Sequence, residues 1–366
     1  MTRLRRNRAI KTLNPTTNLK LTCEAKTAKL ETNKTVWYQT TADYSRSDLR
    51  KALWQVFDTL IPYFALWAAM VYLIQQQFPY WLILTLAMLA GGILVRIFIL
   101  FHDCCHGSFF ASRRANTAFG YITGILTFTP FEDWRRAHNA HHSTAADLDR
   151  RGVGDIWTMT AEEYLAAPLL RRFAYRFYRN PFILFGPGSV LLFLFFQRFS
   201  KKGAGKRERR SVFRTNMALL FIVAMASSTI GLRTYLLVQL PVILIAGSLG
   251  LWLFYVQHQF ENVYWARHGS WDPMRVALEG SSYFKLPKIL QWFTGNIGLH
   301  HVHHVRANIP NYNLQRCHDE IPALQAVEPI TLKTSFRSLK LALCDEKSKK
   351  LISFCSLAAR RKVTLT

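Results

Sequence analysis

Nine of the chain's 12 histidines fall in three short stretches, eight of them at helical spacings. His102 and His106 stand in HDCCHGSFF, His138, His141 and His142 in HNAHHS, and His300, His303 and His304 in GLHHVHHVRANIP. Residues i, i+3 and i+4 of a helix share one face, so each stretch can aim its imidazoles at a single point. Neutral imidazole is a standard ligand for zinc, iron, copper and nickel. Eight ligands exceed a tetrahedral zinc site, which takes four; they suit two metal ions, each with a position open for an exogenous ligand. The third stretch holds a further histidine, His301. At about 100° per residue, His300, His303 and His304 span an arc of about 100°, and His301 points about 60° beyond its edge. Starting the same spacing at His301 fails, because Val305 follows His304. His301 therefore takes a supporting, substrate-side or solvent role. His268 and His318 have no partners in the sequence and read as structural.

These ligands can act together only if the chain gathers them. Half of the 366 residues are hydrophobic and 14% are aromatic, yet 47 Lys+Arg stand against 22 Asp+Glu, a net charge of +25. A nucleic-acid binder would account for the charge but not for the long apolar runs. A membrane protein accounts for both, provided the basic residues sit in loops on one side. Leu53–Gln75 and Tyr80–Phe101 are turned by Gln77-Phe78-Pro79, and Met217–Leu232 and Tyr235–Gln257 meet at Gly231–Thr234. These two hairpins predict spans at about 53–75, 80–101, 214–232 and 235–257, near the roughly 20 residues a bilayer requires. Two shorter runs, Ala115–Phe131 and Phe182–Phe199, are interrupted by Asn116, Gly120 and Gly124 and by Gly186-Pro187-Gly188. They read as helices lying in the interface or dipping into it.

Charge and ligand convergence agree on this topology. Lys+Arg number 12 before residue 52, 17 between residues 102 and 210 and 15 after residue 258, while the two short turns hold only Arg233. Four spans place all three basic segments on one side, which the positive-inside rule makes the cytoplasm. A crossing by Ala115–Phe131 would part the first two histidine stretches by about 30 Å of bilayer. The expectation is an all-α integral membrane protein: four transmembrane helices in two hairpins under a cytoplasmic helical cap, with both termini cytoplasmic. Residues 1–50 form a basic N-terminal cytoplasmic segment without the apolar core of a cleavable signal peptide. Residues 51–325 form the membrane domain, and residues 326–366 a basic tail, solvated or on the membrane surface, with no recognisable chemistry. Arg96 lies near a helix end and is expected to snorkel to the interface. The six cysteines show no framework spacing, which fits a reducing compartment.

Further candidates stand beside the boxes. His258, in QHQFENVYW, lies just past the fourth span, at the membrane edge where the boxes must meet, and is a ninth ligand candidate. Asp103 follows a ligand directly and could orient another imidazole; Glu261, three residues after His258, is similar. DLDRRGVGD reads as a structural turn beneath the site, with an electron-donor or head-group contact as its alternative. Cys104 and Cys105 could ligate metal, but thiolate would compete with histidine, and they read as small packing residues.

The boxes HxxxH, HxxHH and HxxHH, at these positions relative to two membrane hairpins, resemble the integral-membrane fatty acid desaturases from about Tyr38 to Leu314. HDCCHGSFF, WRRAHNAHHSTAADLDRRGVGDIWTMT and GLHHVHHVRANIPNYNL are most similar to the bacterial Δ12 (omega-6) acyl-lipid branch. The resemblance implies two irons, carried in the cap by His102, His106, His138, His141, His142, His258, His300, His303 and His304. It implies use of O2 and two electrons to take two hydrogens from adjacent methylenes of an acyl chain, converting an oleoyl to a linoleoyl chain on a membrane lipid or acyl-CoA. The chain carries no fused cytochrome b5 haem motif, so a separate ferredoxin or cytochrome b5-type protein must supply electrons. In a bacterium such an enzyme would be a multi-pass protein of the cytoplasmic membrane. The same site could hydroxylate an acyl, carotenoid or alkane chain. A membrane zinc hydrolase or metal transporter fits less well, because zinc leaves ligands unused and transporters usually bind at the bilayer midplane.

Overall fold

The computed structural model describes residues 34–364; most of the N-terminal segment expected from the sequence lies outside these residues. Helix α1 (Leu49–Gln75) begins where the Asp48 side chain accepts from the Arg50 and Lys51 amides, satisfying N–H groups that have no partner within the helix. Helix α2 (Tyr80–His106) follows. The shorter α3 (Arg113–Leu126) and α4 (Phe131–Thr144) lead into strand β1 (Met159–Thr160). Helices α5 (Leu169–Tyr178), α6 (Pro181–Phe185) and α7 (Pro187–Leu194) precede two long helices, α8 (Lys206–Thr229) and α9 (Leu232–His258). Strand β2 (Tyr283–Lys285), helices α10 (His300–Val305) and α11 (Asn311–Glu320), and strands β3 (Pro329–Thr331), β4 (Leu343–Asp345) and β5 (Lys350–Ile352) follow.

Five helical segments among the described residues are long and apolar enough to cross a membrane: α1, α2, Pro181–Arg198, α8 and α9. Trp54, Ile61, Met88, Leu220 and Phe221 stand exposed on them, as suits side chains facing hydrocarbon rather than water. The core lies between α2 and α9, which run in the same direction. Tyr80 donates to the Leu237 carbonyl at 2.9 Å, and eleven residues further on a Cβ at Gly91 would sit 2.6 Å from Ile245. Only glycine admits that approach, and it brings both helices to their histidine-bearing ends together.

Pro181–Arg198 is not one rod. It breaks at Gly186, ahead of Pro187, which has no N–H to offer a preceding turn. The Phe185 ring packs on Trp252 and Tyr255 near the end of α9. Beyond α7, Arg198 donates to Asn216 of α8 at 2.9 Å and to the Phe128 carbonyl. These partners place the run across the half of the bundle nearest the histidines.

Two sequence expectations are corrected. Arg96 does not snorkel: it is 3% exposed, donates to Thr59 at 2.8 Å, pairs with Asp58 at 3.4 Å and lies over the Trp292 ring. Asp58, on the facing helix α1, supplies the counter-charge that a side chain inside the bundle requires. The C-terminal segment is packed rather than solvated. β3 pairs with β2, and β4 pairs with both β1 and β5, while Tyr255 donates to the Leu341 carbonyl at 2.9 Å.

Candidate metal centre

The structure gathers the nine candidate histidines into two groups. His102, His106, His138, His142 and His303 form one; His141, His258, His300 and His304 form the other. Within each, the candidate ligand atoms lie within 4.8 Å of one another. The boxes do not map one to one onto the groups. In α4 the i, i+4 pair His138/His142 serves the five-membered group and His141 the other. In α10 the pair His300/His304 serves the four-membered group and His303 crosses back. An i, i+4 pair lies about 40° apart on a helix and the i+3 residue about 60° off its flank, so one HxxHH box can face two points at once. The last turn of α2 adds His102 and His106, and the last residue of α9 adds His258.

The nitrogens converge through Nε2. His142 and His138 approach to 3.1 Å, and His303 and His142 to 3.0 Å. His141 and His258 approach to 3.1 Å, and His300 and His258 to 2.9 Å. The Nε2 atoms of His102 and His106 are buried with no protein partner, a costly arrangement unless something else accepts their lone pairs. Burial first, and the neighbouring imidazoles next, hold His138, His142, His300, His303 and His304 well below the ordinary histidine range. They are therefore neutral, the form that ligates a metal. Orphaned nitrogens, neutral rings and an all-imidazole donor set fit two cations, and each group is able to hold one.

Three of the nine rings are oriented from behind. His102 Nδ1 lies 3.2 Å from Asp103 Oδ1, while Asp103 Oδ2 accepts from the Asn311 backbone amide at 2.6 Å and its side chain at 2.9 Å. Asn311 exchanges hydrogen bonds with Gln55 of α1, so this brace runs from α2 through α11 to α1. His258 Nδ1 faces the Gly280 carbonyl at 3.2 Å. His141 Nδ1 lies 2.5 Å from Asp155 Oδ1. Such contacts fix which nitrogen is free and raise its basicity.

Asp155 is the residue the sequence reading missed. It closes DLDRRGVGD, read there as a turn. The turn is present: Asp147 accepts from Arg150 and faces His268, and Asp149 pairs with Arg267. Its far end, however, delivers a carboxylate to a histidine. Gly154, at φ +76°, permits this: a Cβ there would meet the Ala137 carbonyl of α4 at 2.9 Å. An acidic residue preceded by Gly152 and Gly154, shortly after a histidine box, was the available signal.

The remaining candidates fall outside the groups. Glu261 is 66% exposed at its side chain and faces Arg337 at 3.9 Å; α9 stops at His258, so residue 261 is no longer one turn above it. His301 is buried with its Nε2 3.3 Å from His318 Nδ1, between α10, α11 and the Tyr283 ring. Cys104 and Cys105 are buried in the packing around Phe101 and Phe131. Beside the groups lies a cavity of about 490 Å³, lined by His102, His138 and His300 at one end and by apolar residues such as Phe98, Leu191 and Gly250. Trp134 stacks on His138 with ring centroids 4.3 Å apart.

Two buried histidine groups, each able to hold a metal ion, thus stand at the ends of long apolar helices beside a largely apolar cavity. The chain belongs to the fatty acid desaturase family, whose model matches residues 79–331. It is 47% identical over 313 residues to a fatty acid desaturase of Bacillus subtilis, covering 86% of this chain and 88% of that one. It is also similar to an sn-1 oleoyl-lipid 12-desaturase of Synechocystis sp., 25% identical over 63% of this chain and 66% of the relative. A third relative, an sn-1 acyl-lipid omega-3 desaturase (ferredoxin) of the same organism, is 24% identical over 66% of each chain. The protein is thus an oxidoreductase of this family and a membrane protein.

Proposed function

We propose that this enzyme introduces a cis double bond at Δ12 of a membrane-lipid acyl chain, using O2 and two irons held by the nine histidines. The observation that carries the reading is the pair of converging all-histidine groups at the end of one apolar cavity. His102, His106, His138, His142 and His303 would hold one iron, and His141, His258, His300 and His304 the other. Bound there, the metals supply oxidising power for an alkyl C–H that has no acidity for a base to exploit. The balance is two hydrogens from adjacent methylenes, two electrons, two protons and O2, giving the alkene and two waters.

The protein's own residues bind, orient and exclude water. The cavity walls hold the chain extended past His102 and His300, and selectivity follows from which methylene pair rests there. Asp103, Asp155 and the Gly280 carbonyl keep three Nδ1–H groups directed away from the metals. Trp134 closes the side of His138.

The same convergence supports four crossings. If Pro181–Arg198 crossed the bilayer, His258 would emerge about 30 Å from the second box, whereas His258 and His141 sit 3.1 Å apart. Two hairpins, with Pro181–Arg198 dipping in and returning, keep every box and both termini on the cytoplasmic face. Electrons come from a separate donor; the ferredoxin named for the omega-3 relative supports a ferredoxin here. The relatives acting on oleoyl lipid support Δ12.

Expression in a host that makes oleoyl but no polyunsaturated chains, followed by fatty-acid analysis of its lipids, tests this reading. A linoleoyl chain is expected. New double bonds at another position alone would overturn Δ12, and hydroxylated chains would overturn the desaturase outcome.

A further inference from the structure

Helix α5 presents an apolar face that none of the described residues covers. Its sequence LLRRFAYRFY contains three arginines and no acidic residue. Leu169, Leu170, Phe173 and Phe177 are 78%, 79%, 68% and 55% exposed, and at 100° per residue they share an arc of about 100°. The opposite face is anchored: Tyr175 is fully buried, its hydroxyl accepting from the Met159 amide at 3.1 Å and donating to the Ala342 carbonyl. Arg172 and Arg176 border the apolar arc on one side and Arg171 lies beyond its other edge. This is the composition of a helix that lies flat in a membrane interface, apolar side down and basic flanks at the head groups.

Its depth is set by its neighbours. Arg179, directly after α5, donates to Tyr255 and Gln259 at 2.9 Å each. Those residues bracket the end of α9, where a spanning helix leaves the hydrocarbon. The apolar face then continues into Phe182, 86% exposed, and the exposed Leu191 and Phe196 of the dipping run. Tyr178, Ile183 and Leu184 behind that surface line the cavity.

We propose that α5 is an interfacial anchor seated among anionic lipid head groups, holding the α6–α7 wall of the cavity at the bilayer surface so that an acyl chain enters while still attached to its lipid. The anchor rests on the membrane reading, and its role in entry on the acyl-chain reading. A polybasic edge near an anionic surface gains attraction that a zwitterionic surface does not provide, so occupancy of the interface should depend on lipid charge.

The test uses the full-length protein in vesicles, with Cys23→Ser and Cys355→Ser, and a fluorophore on either Phe173→Cys or Arg171→Cys. With phosphatidylglycerol present, the label at 173 is expected to be quenched by nitroxides on lipid chains and shielded from aqueous quencher. The label at 171 is expected to show the reverse. Pure phosphatidylcholine should weaken lipid quenching at 173, and Arg171→Glu in the 173-labelled protein should diminish the difference between the two lipids. A water-accessible label at 173, or one shielded from both quenchers by a protein partner, would overturn the anchor. Equal quenching in both lipids would overturn the anionic preference. Wild-type fatty-acid products measured in the same vesicles keep a failure of the anchor distinct from a failure of the desaturase reading.

Discussion

At the residue scale, the histidines divide by what stands behind them. Asp155 holds His141 at 2.5 Å, and removal of such an orienting group typically costs 10- to 100-fold in metal affinity or activity. Asp155→Asn is expected to lose iron to a chelator faster than wild type and to form correspondingly less product. Glu261→Gln should match wild type in both, because that carboxylate lies at the surface. His301 provides the complementary case. His301→Ala should keep its iron but lose about 1–3 kcal/mol of stability, the cost of leaving buried His318 without its partner, read as a lower melting temperature in detergent.

His301 also carries a pH signature. Burial, then the neighbouring His318, lowers its pKa to about 3, whereas an unfolded histidine titrates near 6.5. Between these values the unfolded chain binds the extra proton, so stability rises with pH at up to about 1.4 kcal/mol per unit for this one residue. The contribution is fully present above about pH 6.5 and is lost as the pH falls below it. Metal-stripped protein should therefore melt lower at pH 5.5 than at pH 7.5, and His301→Ala should narrow that gap. Little of this was readable beforehand. The register of GLHHVHHV excluded His301 from the ligand arc, but its partner His318 is 17 residues away on another helix, and no local pattern joins them.

At the element scale, legibility follows length. Helices α1, α2, α8 and α9 declare themselves because an apolar run of such length has few other fates. The pairings of β3 and β4 do not, because three-residue strands carry too little periodicity to separate from loop. Arg96 shows the same limit within a helix. Its position near a helix end suggested the interface, and only the packing of α1 against α2 revealed Asp58 as its partner. Breaking a buried pair from one side costs about 3–5 kcal/mol, while replacing both partners with apolar residues can be neutral. Arg96→Leu should therefore lower the melting temperature markedly, and adding Asp58→Leu should restore much of it. A double variant no better than the single would show that Arg96 acts through Thr59 or Trp292 instead.

At the scale of the whole molecule, three histidine boxes and one helix end converge across more than 200 residues of chain, and that convergence ties topology to chemistry. A cysteine at Lys202, just past Pro181–Arg198, should react with impermeant reagent only from the cytoplasmic side. Reaction from the other side would mean that Pro181–Arg198 crosses. The central claim is that nine histidines hold two irons, five on one and four on the other. Iron analysis of purified protein tests it most directly, comparing wild type with His106→Ala and His258→Ala, whose side chains belong to different groups. The expected result is near two irons per chain in wild type and near one in each variant. Zinc in place of iron, or two irons retained by the His258→Ala chain, would contradict the account.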